Sequence, residues 1–304
     1  MLGSTLFFLG EPVSARTHLE QGIVLYDPQQ HRSRTLSSGI DPGVVGLSRV
    51  AWALWMLGYA EQALTRSQEA LSLARRLSHA YSLGFALHYA GVLRQSRREA
   101  QFVQEWAEAT IALSREQGFV QWLEGGMFLR GWALAEQGLA QEGIEQLRES
   151  LASKRARGTE LAQTHILFRL AEAYGKAGQA EEGLRVLAEA LAAVHRDAER
   201  YFEAELYRLK GELLLQQAVR WGVPIAPALL AEAETCFRQA LDVARHQGAK
   251  SLELRAVMSL SRLWQQQGKR AAAHQMLAEI YGWFTEGFDT PDLQEAQALL
   301  AALA

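Results

Sequence analysis

The chain has 304 residues, a net charge of -3, 49% hydrophobic and 21% charged residues and only six prolines, the composition of a folded protein rather than a disordered one. That balance gives no electrostatic case for a nucleic-acid groove or an anionic membrane surface, so neither is expected as a partner. The single cysteine, Cys236, excludes an internal disulfide and suits a reducing cytoplasm, the expected location.

The first segment, LGSTLFFL over residues 2–9, is too short to span a bilayer and lacks a basic flank. Gly10, Ala15 and Gly22 recur at the offsets of Gly178, Gly183 and Ala190 further along, so residues 1–25 read as a partial repeat whose first helix is cut short. The chain is therefore expected to start inside a repeat and to be the C-terminal piece of something longer. An apolar end around Leu6, Phe7 and Phe8 would then be open to self-association.

Residues 26–43 follow as a connector, with Asp27-Pro28, Ser37-Ser38-Gly39 and Asp41-Pro42-Gly43 as turn formers. Helix pairs are then expected over 44–78, 80–117, 120–158, 160–198, 201–248 and 251–284. The pair at 160–198 shows the design best. Leu167, Leu170, Ala171 and Tyr174 share one face of a first helix, Gly178 ends it, and Gly183, Leu187 and Ala190 line a second. A hairpin of this kind cannot bury its apolar stripe alone and has to stack on neighbours of the same design.

The register is consistent along the chain. Ala51, His88, Gly131, Ala171 and Ser261 each stand twelve residues before the small anchors Ala63, Ala100, Gly143, Gly183 and Ala273. Gly211 stands twenty-two before Ala233, so that pair carries an insertion, placed around Trp221 to Pro227 because two prolines forbid an unbroken helix there. Anchor spacings of 37 to 50 residues exceed the usual unit of about 34, which implies longer helices. Thr290-Pro291 opens a final amphipathic helix over 290–303, read as a capping helix.

The segments AEAYGKAGQAEEGLRVLAEALA and AEAETCFRQALDVA resemble tetratricopeptide repeats. The resemblance implies an all-α fold, a right-handed α-α superhelix of about six helix pairs forming one solenoid over 1–304. More narrowly, FRQALDVARHQGAKSLELRAVMSLSRLWQQQGKR and LAEIYGWFTEGFDTPDLQEA are similar to the C-terminal region of large bacterial signal-transduction ATPases, where a cyclase or transcription-activator module and a P-loop ATPase precede such repeats. No GxxxxGK[ST] or cyclase signature is present, so those activities are not carried over; upstream ATPase or cyclase modules of a longer chain remain expected partners.

No catalytic, metal or cofactor site emerges. There is no HExxH and no Cys/His cluster with ligand spacing, and Gly125-Gly126 lacks the lysine of a phosphate loop. His88 is expected to be packed, and His165 to face the groove as a weak binding candidate. The carboxylates Glu181, Glu182, Glu203 and Glu205 are expected to be solvated. Arg94, Arg97 and Arg98, and Lys154, Arg155 and Arg157, read as mixed-charge rims beside Glu99, Glu105 and Glu149.

In tetratricopeptide arrays the first helix of each pair lines the concave surface. Projecting that face onto this chain selects Trp52, Trp55, Phe85, Tyr89, Phe128, Trp132 and Phe168, then Glu172, Lys176, Arg208, Glu212, Arg255 and Arg262. An aromatic stretch followed by a charged one suits a protein or peptide ligand. Packing between repeats is the competing expectation for each aromatic. The expected function is a non-catalytic interaction and regulatory module. The alternative is an inducer-sensing domain with an enclosed pocket at Trp52, Trp55, Tyr89 and Trp132.

Overall fold

A computed structural model describes residues 2–28, 39–158, 162–220 and 226–304. Among the described residues it contains fifteen α-helices and no strand. In chain order they are α1 (Leu2–Phe8), α2 (Pro12–Val24), α3 (Pro42–Met56), α4 (Ala60–Leu77), α5 (Ala80–Ser96), α6 (Ala100–Gln117), α7 (Val120–Glu136), α8 (Ala140–Ala156), α9 (Gln163–Lys176), α10 (Ala180–Asp197), α11 (Glu203–Arg220), α12 (Pro227–Gln247), α13 (Lys250–Gln266), α14 (Arg270–Tyr281) and α15 (Pro291–Leu303). Most of the connector, at 29–38, and residues 221–225 of the insertion lie outside the described residues. The ten additional residues of that repeat serve in part to lengthen α11 and α12, to 18 and 21 residues, and Pro227 opens α12 at a position where a missing N–H costs nothing.

Contacts divide the described chain into two units, one of residues 2–55 and 59–158, the other of 56–58 and 162–304. Each is built in the same way. Consecutive helices pack side by side, and first helices also touch the next first helix, α5 on α7 in the first unit, and α9 on α11, α11 on α13 and α13 on α15 in the second. The first unit holds a core that includes Val44, Leu71, Ala74, Phe85, Leu87 and Trp122; the second holds one of Leu254, Val257, Ala273, Leu277, Phe284 and Leu299.

The twelve-residue register is a contact register. A Cβ added to Gly143 would stand 2.5 Å from the Gly131 carbonyl oxygen, and one added to Gly183 would meet the Ala171 carbonyl at 3.1 Å. Ser261 Oγ donates to the Ala273 carbonyl at 3.4 Å. Residues twelve apart therefore face one another across these three hairpins, and the small anchor is what lets the two backbones close. Gly211 instead lies against the Phe237 ring, 2.5 Å from where its Cβ would be, as the longer hairpin shifts the facing partner. Ala100 is the exception among the anchors, being only half-buried. Gly178 adopts φ +70° directly after α9, the left-handed turn that lets α10 fold back.

The helix at Pro42 begins as its sequence implies. Asp41 Oδ1 accepts the backbone N–H groups of Gly43 and Val44 at 2.9 and 3.1 Å, while Tyr26 donates to its other oxygen at 2.9 Å. Of the apolar end expected around Leu6, Phe7 and Phe8, the two phenylalanines are not open, whereas Leu2 and Leu9 on either side are exposed. Phe7 and Phe8 are buried, with Phe7 against Trp52 at 4.8 Å and the Arg49 guanidinium over Phe8, because α1 folds back on α2 and both rings turn inward.

Candidate functional site

The first helices of each unit carry the residues that the sequence singles out, and the structure sorts them by burial. Trp52, Trp55, Phe85, Phe128, Trp132 and Phe168 are all at most 4% exposed. They fill the layers between neighbouring helices instead of lining an open surface. Phe85 packs at a tilt on Tyr89 at 4.5 Å and meets Trp122 edge-on at 5.5 Å, while Phe168 packs on Phe202 at 5.3 Å. Where successive first helices touch, as α5 does α7 and α9 does α11, large side chains are needed at the facing positions. Of the aromatic set, only Tyr89 keeps part of its surface.

His165 likewise is not on the groove face. It is buried, stacked on Phe202 at 4.6 Å, and accepts a long 3.4 Å contact from Arg169 Nε. His88 lies between Tyr89 and Trp122, with centroids at 5.1 and 5.9 Å, and packs on the Gly125 backbone. Burial, reinforced by the charges of Lys154 and Arg49, pulls its pKa down to about 3, so it is neutral at physiological pH.

The charged part of the predicted face comes together in the second unit. Glu205 on α11 accepts from Arg208 Nε at 2.7 Å and from Arg255 Nη1 at 3.3 Å. Arg208 reaches on to Glu212 at 2.5 Å, where Ser259 also donates at 2.9 Å. Arg255 on α13 pairs with Asp292 on α15 at 2.7 Å, and on α9 Arg169 pairs with Glu172 at 3.0 Å. Four successive first helices thus contribute to one patch, in which Arg208 and Arg255 share Glu205 and Glu172 acts on Arg208 through its charge. Arg262 stands apart, in an exposed pair with Glu295 at 3.0 Å.

Glu205 departs from the solvated carboxylate expected of it, because it is 1% exposed. Burial alone would raise its pKa, but Arg208 and Arg255 override that and bring it down to about 2. Conversely, burial works against the charge on Arg208, and Glu205 and Glu212 more than restore it. Sequence reasoning overlooked Asp292, the second residue of α15. The available signal was the i, i+3 and i, i+4 spacing of Glu205, Arg208 and Glu212, which marks a helix face of opposed charges.

The other basic clusters are structural. Arg94 and Arg97 both hold Glu99, at 2.5 and 2.8 Å, and Arg97 donates to the Ala60 carbonyl at 3.3 Å, tying one hairpin to the next. Arg157 Nε donates to Glu124 at 2.9 Å. Among the described residues there is no group of three or more His, Cys, Asp or Glu side chains able to hold a metal, and no helix is long and apolar enough to cross a membrane.

No protein-family model matches the chain. It is 27% identical over 259 residues to an uncharacterized protein of Rhizobium meliloti (strain 1021), a match that covers 84% of this chain but only 24% of that protein. Among solved structures, it superposes with a TM-score of 0.64 at 13% identity on a Rap protein complexed with competence and sporulation factor, over 99% of this chain and 78% of that one. The Rap conjugation gene regulator of plasmid pLS20, in complex with the Phr* peptide, gives 0.63 at 12% identity over 99% and 74%. Human IFIT1, solved as a dimer with PPP-AAAA, gives 0.58 at 14% over 98% and 62%. The helix pairs, their register and these likenesses together show that the chain has the all-α, tetratricopeptide-like solenoid fold.

Proposed function

We propose that this protein is a non-catalytic interaction module that binds a peptide or protein segment on its first-helix face. The observation that carries the reading is the assembly of Glu172, Arg208, Glu212, Arg255 and Asp292 from four successive first helices into one polar patch. A stack that needed only stability would be served as well by apolar residues, since buried ion pairs rarely outperform well-packed hydrophobic ones. A face of paired, oriented charges offers an extended peptide donors and acceptors at repeat spacing. A Rap conjugation gene regulator of similar fold was solved in complex with a peptide, which supports the same ligand class here. The finer reading, that the module regulates a bacterial signal-transduction ATPase in the cytoplasm, rests on the sequence resemblance. The Rhizobium relative, whose matching part is 24% of its length, shows that such a segment occurs within a larger protein.

The test is a fluorescence-polarisation screen of the whole chain against a library of labelled extended peptides. Substitution of the half-exposed Glu212 and the exposed Arg262 by alanine should weaken the peptides retained by the parent at least about fivefold, while far-ultraviolet circular dichroism stays unchanged. Absence of any saturable peptide, or affinities indifferent to both substitutions, would defeat the reading.

A further inference from the structure

In the first unit, Arg49 of α3 is 6% exposed, yet among the described residues no acidic group pairs with it. Its Nε and Nη1 are shut off from solvent without a hydrogen-bond partner. Its guanidinium carbon instead lies over aromatic rings, 4.3 Å from the centroid of Tyr89, 4.5 Å from that of Phe8 and 5.9 Å from that of Phe85. The sequence around it offers no remedy: α1, α3 and α5 contain no aspartate or glutamate. His88 feels its charge, which helps to lower the His88 pKa, but that imidazole is neutral and supplies no counter-charge.

The contrast with the second unit is informative. There Arg169 also lies over rings, 4.8 Å from Phe168, but it has Glu172; Arg208 and Arg255 have Glu205, Glu212 and Asp292. Ring faces stabilise a cation only in part and accept none of its in-plane N–H groups, so a guanidinium held among them still lacks acceptors for its buried donors. A charge buried with donors unmet, inside a wall of aromatic side chains, is complementary to an oxyanion carried on an apolar group.

We infer that Arg49 is a recognition site for a ligand carboxylate, with Phe8, Phe85 and Tyr89 as the apolar wall for the group that bears it. The inference rests on the peptide reading above, because the anionic groups of an unmodified peptide are carboxylates. Arg49 is thus a specificity-determining residue, and the ligand has an acidic side chain or a terminal carboxylate next to an apolar one.

The test uses phenylacetate as probe, with the neutral phenylacetamide and inorganic phosphate as controls, on the whole chain. Thermal unfolding and the fluorescence of the adjacent tryptophans are read together. Phenylacetate should raise Tm and change fluorescence saturably, phenylacetamide should not, and Arg49→Met should weaken the phenylacetate response at least about tenfold. Arg49→Lys should retain part of it. Arg49→Met replaces an unpaired buried cation by an apolar chain of similar length, so its ligand-free Tm should be equal or higher. Three results would overturn the inference: no phenylacetate response in the parent, a response that survives Arg49→Met, or a response to phosphate alone. A fall in Tm for Arg49→Met with no phenylacetate response in the parent would make Arg49 a structural stack. None of these touches the peptide reading, which the peptide screen decides separately.

Discussion

Glu205 and His88 are buried ionisable groups displaced to low pKa for opposite reasons, and both make the protein acid-sensitive. Glu205 is held charged by Arg208 and Arg255, so its contribution is complete above its ordinary value of 4.5 and is lost as pH falls toward about 2. His88 is held neutral by burial, so the unfolded chain binds a proton that the folded one refuses between pH 6.5 and about 3, and stability falls as pH drops through that window. Of the two, only His88 acts between pH 6.5 and 4.5. Replacement by phenylalanine should flatten the decline of Tm over that interval and leave the steeper fall below it, as measured by thermal denaturation at a series of pH values. Glu205→Gln removes the acceptor shared by Arg208 and Arg255. It should cost about 3 kcal/mol in urea denaturation at neutral pH, with Glu212 and Asp292 limiting the loss.

At the scale of the element, the hairpin is set by how closely its two helices approach. Gly143→Ala would press a methyl carbon to 2.5 Å from the Gly131 carbonyl, a backbone atom that cannot move alone, and should destabilise by about 1–3 kcal/mol. Gly138→Ala in the turn of the same hairpin meets nothing within 4 Å, but its φ of +90° is strained for any side chain; about 1–2 kcal/mol is expected. Both costs are read from urea denaturation, and combining the two substitutions should give a nearly additive loss, since one acts by contact and the other by backbone conformation. The aromatic layer is of the same kind. Trp132 is 1% exposed, so Trp132→Ala should cost about 3–5 kcal/mol and cannot serve as a clean probe of ligand binding.

At the scale of the whole molecule, a stack of helix pairs passes load to its neighbours only. In the first unit, Trp132→Ala should therefore raise hydrogen exchange in α6, α7 and α8 well before α1 and α2, and uniform loss across that unit would instead indicate one cooperative core. The stack also explains the chemistry. Glu205 and Arg255 are fifty residues apart in the chain, and Arg255 and Asp292 are thirty-seven apart, yet each pair meets because successive first helices place equivalent turns side by side.

The sequence by itself determined the helix pairs, their turns and the facing positions within each hairpin. These depend on a 3.6-residue period, on Gly178-type turns and on small anchors twelve residues from their partners, all of which are local in the chain. It also singled out Glu172, Arg208 and Arg255, which stand on three successive first helices. What it did not determine is which first-helix residues are covered. Trp52, Trp132 and Phe168 have the spacing of a groove, and only packing against other helices of their own units buries them. Nor does sequence show that Glu205 is enclosed by arginines from two helices while Arg49 is enclosed by rings alone. Burial and charge pairing are properties of neighbours forty or so residues away, and the tertiary structure alone brings those neighbours together.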